Sequence, residues 1–588
     1  MFDKIRYIDG TTVVVGINKS NMVIPNLMNM HVVFENDKDT LLGEVKKVDS
    51  DTVSIGLLGQ FIGSRFVAGT IKKPTLDSRV RVINDDELNI ILGSDDGKSL
   101  YLGHSAIYPD KNVYIDINQF FSNHSAIFGN TGSGKSCSVA RIIQNIFLNK
   151  QFLAYNANLF IFDAYGEYKN AFKVLPKFNQ NYQYKFITSN PVDPEDVQLN
   201  IPVFLLTIDD ICLLLQADNH HQYTIIERML KLAKLFSKDD EETKKLKNHL
   251  IAKAIMSVLF SNQNAAGKKN DIFTIISDCS TPEFNVDTDI QGIGYTRKFS
   301  ECFGIDRNGE FGESVLINEY LLKFIDDEIE SKIEVPTDAF YTLDDLERAL
   351  SFTLIGDGFL GNRIMQDNAV IMQVRLHSLN NSSNRKFFSF KNYINLENYI
   401  SSLIINNNRR SQIININLED IDDNLAKTIV KIFSKMLFDF AKRRRVRAAI
   451  PFHLFIEEAH RYVVNDNDHF LLGYNIFERI AKEGRKYGVM LDLVSQRPVE
   501  ISETVIAQMS NFCILKMTHP RDLDYINKML PNISGDIIEK LTSLQSGTMV
   551  AFGTAFKIPV IVKMDMPDPA PYSSNCDVVF RWKPIQKQ

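Results

Sequence analysis

A chain of 588 residues exceeds what one ordinary hydrophobic core supports and predicts two or three domains around a large central one. The composition, 44% hydrophobic and 23% charged, is that of a globular protein, and no run of about 18 apolar residues is present, which excludes a membrane-spanning helix. Met1 to Gly10 lacks the apolar core of a secretion signal, so a cytoplasmic protein is expected. The formal net charge of -6 excludes a chain that is basic all over and leaves room for a local basic lining.

In chain order, short β-type runs come first: Thr12–Ile17, His31–Phe34, Leu41–Val48, Thr52–Leu57 and Ser78–Ile83, separated by Gly, Asn and Asp turn signals. Such spacing predicts a small antiparallel barrel or sandwich over residues 1–100. A buried strand at Ser125–Phe128 then enters a glycine-rich turn and a helix with Val139, Ile142, Ile143, Ile146 and Phe147 on one face. Later apolar strands at 159–162, 413–418, 452–456, 489–494 and 512–517 predict an α/β core in two parts, 101–200 and 401–563, with a largely parallel sheet. Residues 201–400 read as a helical insertion, with patterns at Tyr223–Phe236 and Leu246–Phe260 and a loop at Asn380–Asn384. Residues 564–588, with four prolines and Trp582, read as an extended arm that packs on a neighbouring subunit. The six cysteines (Cys137, Cys212, Cys279, Cys302, Cys513, Cys576) form no CxxC pair, so reduced, buried thiols are expected.

The sharpest motif is Gly129-Asn130-Thr131-Gly132-Ser133-Gly134-Lys135-Ser136, followed by Cys137, between a strand and a helix. Its glycines let backbone N–H groups close around phosphate, Lys135 reaches the β- and γ-phosphates of ATP, and the Ser136 hydroxyl serves Mg2+. Phe452–Ile456 runs into Glu457-Glu458-Ala459-His460, which predicts carboxylates at the end of a neighbouring strand: Glu457 on Mg2+ and Glu458 as the base for the attacking water. The strand at 489–494 ends in Ser495-Gln496, where Gln496 either senses the γ-phosphate or is a satisfied polar cap. Arg485, and after it Arg479, are candidates for a guanidinium acting on the phosphates of an adjacent subunit; surface arginines near a helix end are the alternative. Asp163 and Glu167, in Asp163-Ala164-Tyr165-Gly166-Glu167, either complete the magnesium and water network or belong to a turn built on Gly166. The run Lys442–Arg447 reads as the end of an amphipathic helix in preference to a DNA contact. His104, His124 and His460 lack metal-ligand spacing and are expected in core or capping roles.

With the phosphate loop, the Glu457-Glu458-Ala459-His460 strand end, Gly484-Arg485-Lys486-Tyr487-Gly488 and Ser495-Gln496-Arg497-Pro498 in this order, the chain resembles the HerA family of hexameric DNA translocases, within the HerA and FtsK group. The resemblance implies a RecA-like ATPase core behind a HAS-barrel-like module, assembled as a homo-oligomeric six-membered ring. It further implies double-stranded DNA in the central channel, helicase or translocase activity, and a separate effector: a nuclease of the NurA type or a sirtuin-like NAD-consuming enzyme, in DNA end processing or anti-phage defence. A ring that assembles and activates its effector without translocation is the alternative. Ala551-Phe552-Gly553-Thr554 resembles the family's late segment near nucleotide, which adds Gly553 and Thr554 as nucleotide contacts. Two departures stand out: Glu457 where many members have Asp, and Asn123 where a basic residue commonly precedes the histidine.

Overall fold

The computed structural model describes residues 2–18, 26–307, 309–356, 363–406, 408–466, 468–529, 535–573 and 578–582. Cys576 and the last residues of the predicted arm lie outside these. The chain forms two compact units: Met1–Val197 with Ile400–Asp466 and Asn475–Gln588, and Gln198–Tyr399 with Asn467–Tyr474.

The first unit begins with an antiparallel sheet of seven strands, Phe2–Asp9, Thr12–Ile17, His31–Glu35, Thr40–Val48, Thr52–Ile62, Arg65–Ala68 and Arg79–Val82. Val13, Val15, Val32, Leu41, Val45, Val53 and Ile55 fill its core, as the β-branched pattern dictates. The hydrogen-bonded path runs from Phe2–Asp9 to Arg79–Val82, with Arg65–Ala68 paired to Thr52–Ile62 beside it.

A twelve-stranded sheet carries the α/β core. Seven strands run parallel in the spatial order Tyr184–Thr188, Ile413–Asn417, Leu159–Asp163, Phe452–Ile456, Val489–Ser495, Ser125–Phe128 and Asn511–Leu515. Most of their residues are buried, which explains the near-continuous apolar runs. Beyond Asn511–Leu515 the sheet continues antiparallel through Thr548–Gly553, Val560–Lys563, Ser99–Ser105 and Asn112–Asp116; Val197–Gln198 completes the other edge. The helices Lys135–Leu148, Asp423–Arg443 and Ile476–Tyr487 each bury an apolar stripe.

Two expectations change. The Tyr184–Thr188 strand was not predicted, because Lys185 interrupts its apolar pattern; that lysine is buried with Nζ donating to the carbonyls of Ser402 and Ile405. The basic run ends its helix at Arg443, so Arg444–Arg447 lie beyond it. The described part of the arm also packs along its own chain. Asp565 meets Arg141 at 3.2 Å, Gln144 exchanges hydrogen bonds with Asp568 and Pro569, and Tyr572 N donates to Glu167 O, which straps residues 565–572 along the helix after the phosphate loop.

The second unit is mostly helical, with long helices at His220–Phe236, Glu241–Leu259, Ala265–Cys279, Leu343–Ile355 and Arg363–Asn381. Asn219, Asp240, Asn264 and Thr342 cap the first four. The predicted loop at Asn380–Asn384 starts as helix, since buried Asn380 donates to Asp344 and Glu347. No described helix is long and apolar enough to cross a membrane.

Candidate nucleotide site

The phosphate loop leaves the end of the central Ser125–Phe128 strand and opens the Lys135–Leu148 helix. Its turn needs glycine: Gly132 and Gly134 have φ of +76° and +94°, and a Cβ on Gly129 would sit 2.6 Å from Ser133 Oγ. Neighbouring strands fix its path, with Gly129 N donating to Ser495 O and Asn130 N to Lys516 O. Thr131 Oγ1 donates to Gln496 Oε1 at 2.6 Å, so the predicted amide does reach the loop.

Two supports escaped the sequence reading. Thr518 accepts from Asn130 Nδ2 at 2.8 Å, and Ser546-Gly547 backs the loop through Ser546 Oγ to Gly132 O and Gly547 N to Ser133 O. Neither segment has a pattern of its own: Thr518 follows the strand that flanks Ser125–Phe128, and Ser546-Gly547 precedes Thr548–Gly553, one strand further out.

The acidic pair sits one strand further than expected, since Val489–Ser495 lies between Phe452–Ile456 and Ser125–Phe128. The side chain of Lys135 bridges this gap, with Nζ 2.8 Å from Glu458 Oε1 and both groups buried. Glu458 holds a left-handed backbone, φ +48°, which a residue with a Cβ adopts at a cost of about 1 kcal/mol and which aims its carboxylate back toward Lys135. Glu457 is 2% exposed, and Asp163 lies within hydrogen-bonding reach of it. Asp163 accepts from Glu167 N, Tyr168 N and Asn415 Nδ2, so the turn at Gly166 is built on it, while the Glu167 side chain stands beside Ser136. Cys137 is half-buried, its Sγ 3.8 Å from Ser573 Oγ of the strap.

Three carboxyl groups, those of Glu167, Glu457 and Glu458, therefore crowd around a single lysine, with a fourth, Asp163, beside Glu457. Burial, then the charges of Asp163 and Glu167, push Glu457 well above the usual carboxylate range; burial also raises Asp163 and Glu167. Glu167 Oε2, Glu457 Oε2 and Glu458 Oε2 are buried without a hydrogen-bond partner, a costly arrangement that a cation would relieve. No three described His, Cys, Asp or Glu side chains form a metal cage by themselves. That suits Mg2+, which takes one or two protein ligands and completes its shell with phosphate oxygens and water. Ser136 and Glu457 fit that role.

The remaining predicted residues lie elsewhere. Arg485, near the end of the Ile476–Tyr487 helix, is exposed beside Gly488, where the Val489–Ser495 strand begins, roughly 20 Å of strand from the phosphate-loop edge. Arg479 is a half-buried residue of the same helix, 4.0 Å from Glu483 and with its guanidinium over Phe438. Gly553 and Thr554 do not join the phosphate loop of their own chain: Gly553 pairs with Asn511, and Thr554 Oγ1 contacts Gln119 O, at the opposite edge of the sheet. The antiparallel direction of Thr548–Gly553 puts its first residues, not its last, beside the loop. His124 is a core histidine held between Leu491 N and Ala481 O. His104 is exposed near Asp565.

Around Tyr487 the Arg485 edge is basic. The Arg447 guanidinium lies 5.7 Å from the Tyr487 ring and Lys442 Nζ 6.0 Å, while Arg444 folds over Phe440. Arg443, Arg445, Arg447, Arg485 and Lys486 are exposed, and none pairs with a carboxylate among the described residues.

Comparison with known proteins relates this site to a family. Residues 100–288 match the family model "Helicase HerA, central domain". The "DNA double-strand break repair helicase HerA" of Saccharolobus solfataricus is 33% identical over 34% of this chain, an alignment that spans only 41% of that relative. A relative of the same name in Pyrococcus furiosus is 22% identical over 89% of this chain and 78% of its own length. A HerA-named relative in Methanocaldococcus jannaschii is 24% identical over 94% and 93%. Among solved structures, VirB4 of Thermoanaerobacter pseudethanolicus superposes with a TM-score of 0.46 at 13% identity, covering 82% of this chain and 99% of that one. The family model over the phosphate loop and the near-full-length relatives together make this chain similar to the HerA family along most of its length.

Proposed function

We propose that the chain is an ATPase whose hydrolysis drives movement along double-stranded DNA, in a ring of six copies, for a separate effector enzyme that is a nuclease or an NAD-consuming protein. The observation that carries this reading is the Lys135–Glu458 pair, which joins the phosphate loop to a carboxylate two strands away at one sheet edge. Backbone N–H groups of Gly132 to Lys135 bind the phosphate chain. Lys135 leaves Glu458 for the β- and γ-phosphates, and the freed carboxylate takes a proton from the water that attacks the γ-phosphorus as ADP departs. Ser136 and Glu457 would hold magnesium, whose positive charge would offset that of the phosphate oxygens. Thr131 and Gln496 report whether the γ-phosphate is present.

Arg485 lies too far from its own phosphate loop to act there, which supports a role on the loop of an adjacent copy. The DNA assignment draws on the names of the HerA relatives and on the exposed cations around Tyr487, which suit phosphate oxygens. We read the amino-terminal sheet as the family's small barrel module, residues 201–400 as its helical insertion, and the late residues Gly553 and Thr554 as facing a neighbouring copy.

The test is ATP hydrolysis with and without linear duplex DNA, at two salt concentrations, for the wild type and Glu458→Gln. Stimulation by DNA that disappears in the variant, with a loss of about 100-fold or more, is expected. Hydrolysis indifferent to DNA overturns the motor and leaves a ring that serves as an effector scaffold.

A further inference from the structure

The short turn Ala459–Arg461 places His460 between the Glu458 carboxylate and the strand that ends in Ser495. His460 Nδ1 lies 3.1 Å from Ser495 Oγ and 3.3 Å from Glu458 Oε2, and its side chain is 13% exposed. Ser495 Oγ in turn accepts from Arg497 N at 3.0 Å, so this hydroxyl is fixed to the turn that carries Gln496.

The two oxygens of Glu458 divide their neighbours. Oε1 pairs with Lys135, while Oε2 is buried without a formed hydrogen bond and faces His460 Nδ1 at 3.3 Å. An ionised carboxylate only accepts, so a hydrogen bond from His460 to it requires the tautomer with the proton on Nδ1. Burial lowers the basicity of His460, which favours the neutral ring. When Lys135 turns to phosphate, Glu458 loses its only strong partner, and His460 is the donor left beside it.

We propose that His460 is a positioning residue: its Nδ1–H, shared between Glu458 Oε2 and Ser495 Oγ, holds the carboxylate toward water after Lys135 departs and ties its orientation to the Gln496 turn. This rests on the reading of Glu458 as the base that activates water. The histidine would thus link the residue that takes the proton to the residue that reports the γ-phosphate, through one imidazole nitrogen.

The geometry makes the test selective. An asparagine amide reaches about the position of Nδ1, and a glutamine amide about that of Nε2. Single-turnover ATP cleavage and the affinity for a fluorescent ATP analogue are measured for wild type, His460→Ala, His460→Asn, His460→Gln, Ser495→Ala and Glu458→Gln, with melting temperatures alongside. His460→Ala is expected to slow cleavage about 10- to 100-fold with affinity changed less than about twofold. Asparagine should restore most of the rate and glutamine should not, and Ser495→Ala should cost about 2- to 5-fold. Should alanine unfold the protein, the asparagine and glutamine pair carries the comparison. Equal rates for asparagine and glutamine, or a loss confined to affinity, overturn the positioning role. A Glu458→Gln protein as fast as wild type overturns the reading of Glu458 itself, and this one with it. Wild-type cleavage in His460→Ala beside an inactive Glu458→Gln overturns only the role of His460.

Discussion

The parallel strands of the large sheet end and begin in opposite chemistry. Where they end, Glu167, Glu457 and Glu458 surround Lys135 with Asp163 beside Glu457, and three carboxylate oxygens have no partner. Where they begin, Arg485 and Lys486 stand exposed with Arg443, Arg445 and Arg447, none paired with a carboxylate among the described residues. Each edge carries charge that the chain itself does not neutralise, and burial makes the acidic edge the costlier of the two. On the proposed function, a phosphate chain with its metal would relieve the first edge, and a polyanion or the phosphates of an adjacent copy would relieve the second.

The largest expected effect comes from disabling one edge at a time and then mixing. Lys135→Ala and Arg485→Ala should each lower ATP hydrolysis by about 1,000-fold. In an equal mixture of the two proteins, an intact loop edge meets an intact arginine edge at about half times half, or about a quarter, of the interfaces, and activity should return in that proportion. A mixture as inactive as its components would mean that Arg485 does not act across an interface. Next in size is the triple change Arg443→Ala, Arg445→Ala, Arg447→Ala. If these side chains hold DNA phosphates, the slope of log affinity against log salt should shrink by up to about 2.7, or three contacts at about 0.9 each. An unchanged slope assigns the cluster to another partner.

The smallest effect concerns the seam between the edges. His124 starts the phosphate-loop strand with Nδ1 accepting from Leu491 N and Nε2–H donating to Ala481 O, a pattern only the neutral ring can make. Burial lowers its pKa from 6.5 to about 4. Because the folded value lies below the unfolded one, its stabilisation is complete above pH 6.5 and is lost as pH falls through about 4. Thermal melts between pH 7.5 and 4.5 should show an acid decline that is shallower by a few degrees in His124→Gln.

The sequence made some of this arrangement plain and concealed the rest for physical reasons. Glycines at 129, 132 and 134 announced the loop because no other residue fits its backbone, and apolar runs marked strands buried on both faces. Lys185 hid a strand, since its partners are carbonyl oxygens that leave no trace in the local pattern. Strand order was equally silent: nothing in Phe452–Ile456 says that Val489–Ser495 separates it from the loop. Gly553 and Thr554 were sought near the loop, but the direction of their strand, which only its partner sets, carries them to the far edge. The basic run announced its charge but not its end, because the helix stops at Arg443 while the arginines continue.

The order of that sheet also sets a timetable. Ser125–Phe128 lies between Val489–Ser495 and Asn511–Leu515, and Ser125 bonds to Asp492, a partner 367 residues later in the chain. At about 5–20 residues per second, a ribosome makes the phosphate loop about 20 to 70 s before its flanking strands exist. During that interval an apolar strand with both edges open protrudes from the nascent chain, the kind of surface that chaperones shield. The strap at 565–572 is made later still, so the loop's helix acquires those contacts only after its flanking strands exist.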